Sequence, residues 1–183
     1  MDTFYQLSSD DANERALAAR DLIHHCFFSD NGLNAKDAAY AITRLLNGLC
    51  TGRAASRQGF ASCLSSFLRM AYSSSSDGGT LMTILKEDEF TKALLKDGMD
   101  DDEGVDGKTP AIVLRQKLLT TTQFIQPEEK GKKGGGDKFG GKMKGMEERD
   151  HAFGRLFGIL AMVRSGVLGL DEFPSSVRCL VCV

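Results

Sequence analysis

The chain has 183 residues, with 23 Lys+Arg against 25 Asp+Glu and a formal charge of −2. Its 42% hydrophobic and 26% charged residues are globular proportions, which exclude a wholly disordered chain or one that is basic throughout. The longest apolar run, LFGILAMV, falls far short of the ~20 residues a bilayer demands, so no membrane partner is expected.

The N-terminus, MDTFYQLSSDDANER, is acidic and lacks the basic and apolar regions of a secretory signal. From Asp11, DANE supplies a capping box, with Asp11 as N-cap and Glu14 at the third position. Ala12, Ala16, Ala19, Ile23 and Cys26 then recur at spacings of three and four, an apolar stripe on one helix. Another helix is expected over about 36–50, burying Ile42, Leu45, Leu46 and Leu49, with Gly52 as a left-handed C-cap. The third runs over about 54–72 and buries Phe60, Leu64, Phe67 and Ala71. Leu81, Ile84 and Leu85 start another stripe, which Phe90, Leu94 and Leu95 continue after a break. Thr109 and Pro110 read as N-cap and first helical residue, because proline's missing N–H costs nothing there. Ile112, Leu114, Leu118 and Leu119 fill that helix. The last helix is expected over about 146–164, with Phe153, Leu156, Phe157, Leu160 and Ala161 as its stripe and Ser165–Gly166 as its end.

No useful stretch alternates with period two, so a sheet has little support. Six or so amphipathic helices predict an all-α fold of stacked helical hairpins, an armadillo/HEAT-like α-solenoid, over 1–183. Two insertions interrupt it. Residues 97–107 hold six acids and no base, and residues 130–146 hold six lysines and seven glycines against one acid. Neither carries enough apolar surface to offset chain entropy, so both are expected to be disordered, mobile loops.

Catalytic and metal motifs fail on inspection. GDKFGGKM at 136–143 has the spacing of a phosphate-binding loop, but Met143 stands where a magnesium-binding hydroxyl is needed. GKT at 107–109 has Asp102 in place of the first glycine. An EF-hand register starting at Asp100 puts Val105 at the glycine position and Ala111 at the glutamate position. Adjacent His24 and His25 diverge by about 100° on a helix. Cys179 and Cys182 form a CxxC with no further pair to complete a zinc site. No catalytic residue, metal, cofactor or small-molecule substrate is therefore expected. The five cysteines read as reduced thiols, which with the acidic start suggests cytosol or nucleus.

Charge is the remaining functional signal. Lys130, Lys132, Lys133, Lys138, Lys142 and Lys144 would neutralise phosphates and bind nucleic acid without reading sequence. The same stretch also reads as a soluble spacer, and both readings stand at this point. Arg53 and Arg57, four apart, are expected on one helical face as an additional phosphate or acidic-partner contact.

Three ordered stretches carry a family resemblance: FYQLSSDDANERALAARDLI (4–23), YAITRLLNGLCTGRAASRQGFASCL (40–64) and KGMEERDHAFGRLFGILAMVRSGVL (144–168). Together they resemble the Myb-binding protein 1A family, also called DNA polymerase phi or, in fungi, DNA polymerase V. Residues 40–64 are similar to its GLxxGRxxARxGF turn, and residues 144–168 to its KGxEERxxxFGRLFG segment. Ser56 replaces the usual alanine, and the acidic insertion has no counterpart. The resemblance implies a nucleolar armadillo-like scaffold in ribosomal DNA transcription and ribosome biogenesis. Implied partners are DNA or chromatin, pre-ribosomal RNA, and transcription or ribosome-assembly factors. Family members are several times longer, so the chain is expected to be an N-terminal fragment. The family's name also implies a nucleotidyltransferase, the competing reading, and a purely protein-binding scaffold is a third.

Overall fold

The computed structural model describes residues 3–29, 32–74, 79–96, 109–123 and 140–169, with the backbone alone at 94–96 and 140–145. The acidic insertion, Lys130, Lys132, Lys133, Lys138 and the CxxC lie outside the described residues. Eight helices are described: α1 (Thr3–Gln6), α2 (Ala12–Phe27), α3 (Ala35–Gly48), α4 (Ala54–Ser73), α5 (Gly79–Lys86), α6 (Glu89–Lys96), α7 (Pro110–Thr121) and α8 (Gly140–Ser165). The fold is all-α. The β pairing among the described residues is a single isolated bridge between Ser29 and Gly32.

Local chemistry sets the helix ends. The Asp11 carboxylate accepts from the Asn13 N–H at 2.8 Å, and the Asn34 side chain accepts from Asp37 at 3.2 Å. Each satisfies one of the orphan amides of a first turn. Asp88 does the same for Thr91 at 3.1 Å, and this is the break that separates α5 from α6. Thr109 and Pro110 open α7 as expected. Gly166, at φ +81°, turns the chain out of α8 while Val167 and Leu168 donate back to the Met162 carbonyl.

One continuous core runs from Leu7 to Leu168. The stripes expected for α3 and α4 are buried in full, and so are Leu81, Ile84 and Leu85. Every helix packs on its neighbour in sequence, and α2 on α4, α3 on α5 and α5 on α7 pack one position further apart. Helix α8 then folds back along α4, the most extensive helix pair among the described residues.

Several expectations are corrected. Helix α2 buries Ala18, Leu22 and Cys26 and leaves Ala12 and Ala16 outside the core, with Ala19 and Ile23 half-buried. The capping box lacks its reciprocal half, because Glu14 accepts from the Ser9 hydroxyl. Leu49, not Gly52, caps α3, and Gly52 has no positive φ. Helix α8 begins at Gly140, so residues 140–146 of the lysine/glycine stretch are helical. Its buried face includes Gly154, Gly158, Ala161 and Met162, while Phe153 and Leu156 are exposed. In α7, likewise, Ile112 and Leu119 are exposed and Val113 and Lys117 are buried.

Candidate functional site: the junction of the motif segments

The three motif stretches meet where the α3–α4 turn, the start of α4 and the middle of α8 converge. At its centre Arg57 reaches out of the first turn of α4. Its Nη1 donates to the Thr51 carbonyl at 2.5 Å and approaches Asp150 Oδ1 of α8 at 3.3 Å. Both side chains are only 12% exposed. The Phe153 ring covers the guanidinium at 5.1 Å, which explains why this phenylalanine stands at the surface. Gly52 serves the same pair: a Cβ there would lie 3.2 Å from Asp150 Oδ2, close enough to crowd the carboxylate.

The remaining motif residues close the helices on one another. A Cβ on Gly59 would collide with the Leu7 carbonyl, so glycine lets the α1–α2 turn sit directly on α4. Gly48 admits the Phe60 ring, Gly154 admits Cys50 with the Leu49 carbonyl, and Gly158 admits Leu118 of α7. Arg155 donates to Thr122 Oγ1 at 3.5 Å and to its carbonyl at 3.3 Å, tying α8 to the end of α7. Ser56, the residue that replaces alanine, is buried.

Arg53 and Arg57 do not share a face. Arg53 is the N-cap of α4 in extended conformation, and its exposed guanidinium meets Asp10 at 3.1 Å. Arg57 is enclosed. Of the lysines, Lys142 and Lys144 lie in the opening turns of α8.

Another enclosed pair, absent from the sequence-based expectations, joins α7 to the start of α6. Lys117 Nζ lies 2.6 Å from Asp88 Oδ1, with Lys117 3% and Asp88 14% exposed. Thr43 donates to the same carboxylate at 3.2 Å. Burial pushes the Asp88 carboxyl up, but Lys117's hydrogen bond and charge, with the Thr91 N–H and Thr43 hydroxyl, outweigh it and hold it below the usual carboxylate range. The deeper burial of Lys117 pulls its ammonium below its ordinary value despite the carboxylate. A signal existed: Lys117 falls three residues after Leu114 and four after Val113, on the apolar face of its helix. Nothing local announces Asp150, whose partner is 93 residues away.

The three described thiols are free. Burial pushes Cys26 up to about 11, with the Asp37 charge adding to it, and Cys63 up to about 12, with Cys26 adding. Cys50 is raised by burial and by Asp150 against the pull of Arg155. These are packing groups, far from the lowered values of reactive cysteines. Among the described residues no three His, Cys, Asp or Glu side chains are grouped to hold a metal, and no helix is long and apolar enough to cross a membrane.

Fold and junction together define an all-helical scaffold whose motif residues lock helices to one another. The chain belongs to the DNA polymerase phi family, also called the Myb-binding protein 1A family, whose model matches residues 40–181. No curated protein and no solved structure matches the chain.

Proposed function

We propose that the chain is part of a non-catalytic, armadillo-like scaffold of the nucleolus that acts in ribosomal DNA transcription and ribosome biogenesis by docking partners. Family membership supports the setting. The sequential packing of the helices, each on its neighbour and several on the next but one, supports a stack of repeats. The observation that carries the docking reading is the fate of the motif residues. Arg57, Asp150, Gly59, Gly154 and Gly158 are all spent on interior contacts. A motif of that kind preserves a shape. The partners are DNA or chromatin, pre-ribosomal RNA, or the transcription and assembly factors that accompany them.

The competing reading is a nucleotidyltransferase, as the family's description suggests. Template-directed transfer needs carboxylates gathered around metal ions. The enclosed carboxylates Asp88 and Asp150 each face a cation and stand on different helix junctions. Purified chain with primed template, nucleotides and magnesium separates the readings, since a scaffold gives no extension. Extension that a single Asp→Asn change abolishes would overturn the proposal. For nucleic-acid contact, changing the six lysines at 130, 132, 133, 138, 142 and 144 to glutamine is expected to weaken binding to duplex DNA or RNA. The dependence of log Kd on log salt should flatten with it. Unchanged affinity and slope leave that stretch a spacer. If the native chain shows no salt-sensitive binding at all, the scaffold binds proteins alone.

A further inference from the structure

The apolar stripe that α2 does not bury lines a groove. Ala12, Ala16, Ala19 and Ile23 form one wall, Phe157, Leu160 and Ala161 of α8 form the other, and Gln58, Ser62 and Ser66 of α4 lie along the floor. The groove encloses about 800 Å³. Its α2 wall runs from Ala12 to Phe28, which at ~1.5 Å per residue is about 24 Å, or between four and five helical turns. Small side chains on the wall and floor admit the backbone of another helix at close range.

The charge of the lining is one-sided. Arg15, Arg20 and Arg164, with the His24 imidazole, surround the apolar strip, and among the described residues no acid lines it. Arg15 is engaged with the Ser9 and Asp10 carbonyls. Arg20 makes an exposed pair with its neighbour Asp21, an interaction of little strength. The Arg164 side chain has no ion pair among the described residues, while its carbonyl accepts from Arg69 Nη2 at 2.8 Å, bringing a further cation to that end. Acids gather on the opposite edge of α2, where Asp10, Glu14 and Asp21 line a separate depression.

We propose that this groove docks an amphipathic helix of a partner protein, four to five turns long, with an apolar stripe flanked by Glu or Asp. The inference rests on the scaffold reading above and supplies the partner's chemistry. The apolar face would bury against the two walls and the acids would meet Arg20 and Arg164 at the rim, which sets orientation and rejects basic helices.

The probe is a labelled 18-residue helical peptide of Leu, Ala and Glu, with Leu at i, i+3, i+4 and i+7, titrated into the full chain by anisotropy. A control peptide carries Lys in place of Glu. The Glu peptide is expected to bind at least about tenfold tighter than the Lys peptide, by a margin that shrinks with salt. Arg20→Glu with Arg164→Glu changes two exposed rim residues and should remove or reverse that preference with thermal unfolding unchanged. Leu160→Glu in the wall should weaken both peptides. Equal binding of the two peptides, binding of neither, or a preference that survives the double substitution overturns the proposal. So does self-association by sedimentation equilibrium that Leu160→Glu disperses, which assigns the groove to another copy of the chain. Primer extension that a single Asp→Asn change abolishes would sink the scaffold reading without moving the peptide preference, so the two failures are distinguishable.

Discussion

Arg57 is held from three sides, by a backbone carbonyl, a carboxylate and an aromatic face. Removing one member of so enclosed a pair leaves the other desolvated and unpaired, which costs more than the pair itself contributes. Arg57→Ala and Asp150→Asn are each expected to destabilise the fold by about 3 kcal/mol. Their combination should cost clearly less than the sum. Chemical unfolding of the three variants measures this double cycle, and strict additivity would show that the two groups do not interact. Asp88 gives a pH dependence. Its folded carboxyl titrates below its unfolded value of ~3.9, so the folded state holds fewer protons between the two. The stability it contributes is present above the unfolded value and is lost as pH falls through the folded one. Asp88→Asn should therefore be less stable than the native chain at pH 7, with a gap that closes as urea unfolding is repeated toward pH 3. A gap of constant size would mean that the ionised carboxylate contributes nothing.

At the scale of elements, the glycines of α4 and α8 decide how closely helices approach. In an exposed helix, Gly→Ala gains about 1 kcal/mol from propensity. At Gly59 the added methyl meets the Leu7 carbonyl, and at Gly154 it comes within 2.7 Å of Cys50 Sγ and 3.2 Å of the Leu49 carbonyl. Overpacking of this kind costs about 1–3 kcal/mol, enough to reverse the sign. Thermal unfolding should show both alanine variants less stable than native, Gly59→Ala more so because it confronts backbone. A rise in melting temperature for either would sink the close-approach account. The same glycines explain why periodicity misplaces the buried face of α8. It counts large apolar residues as the inward side, yet α8 buries its small ones, Gly154 against Leu49 and Cys50 and Gly158 against Leu118 of α7, and turns Phe153 and Leu156 outward. In α2 the difference has another source. Ala12, Ala16, Ala19, Ile23 and Cys26 make the regular stripe, but Ala18 and Leu22 make a rival one that also ends on Cys26, and only packing chooses between them. Where one stripe dominates, as in α3 and α4, pattern and burial agree.

Across the whole molecule, α4 lies under α2, α3, α5 and α8, so helices from early and late in the chain are brought together on one central helix. That arrangement turns three motifs separated by tens of residues into one junction and opens the groove between α2 and α8. The sequence by itself determined the all-helical class, the caps at Asp11 and Thr109, the cores of α3 and α4, and membership of the family, because capping and strong amphipathic periodicity are local properties of a few adjacent residues. The tertiary structure alone decided that Arg57 turns inward to Asp150 and that Lys117 meets Asp88. It also decided which of two stripes α2 leaves open, since those outcomes depend on partners brought close only when distant helices pack.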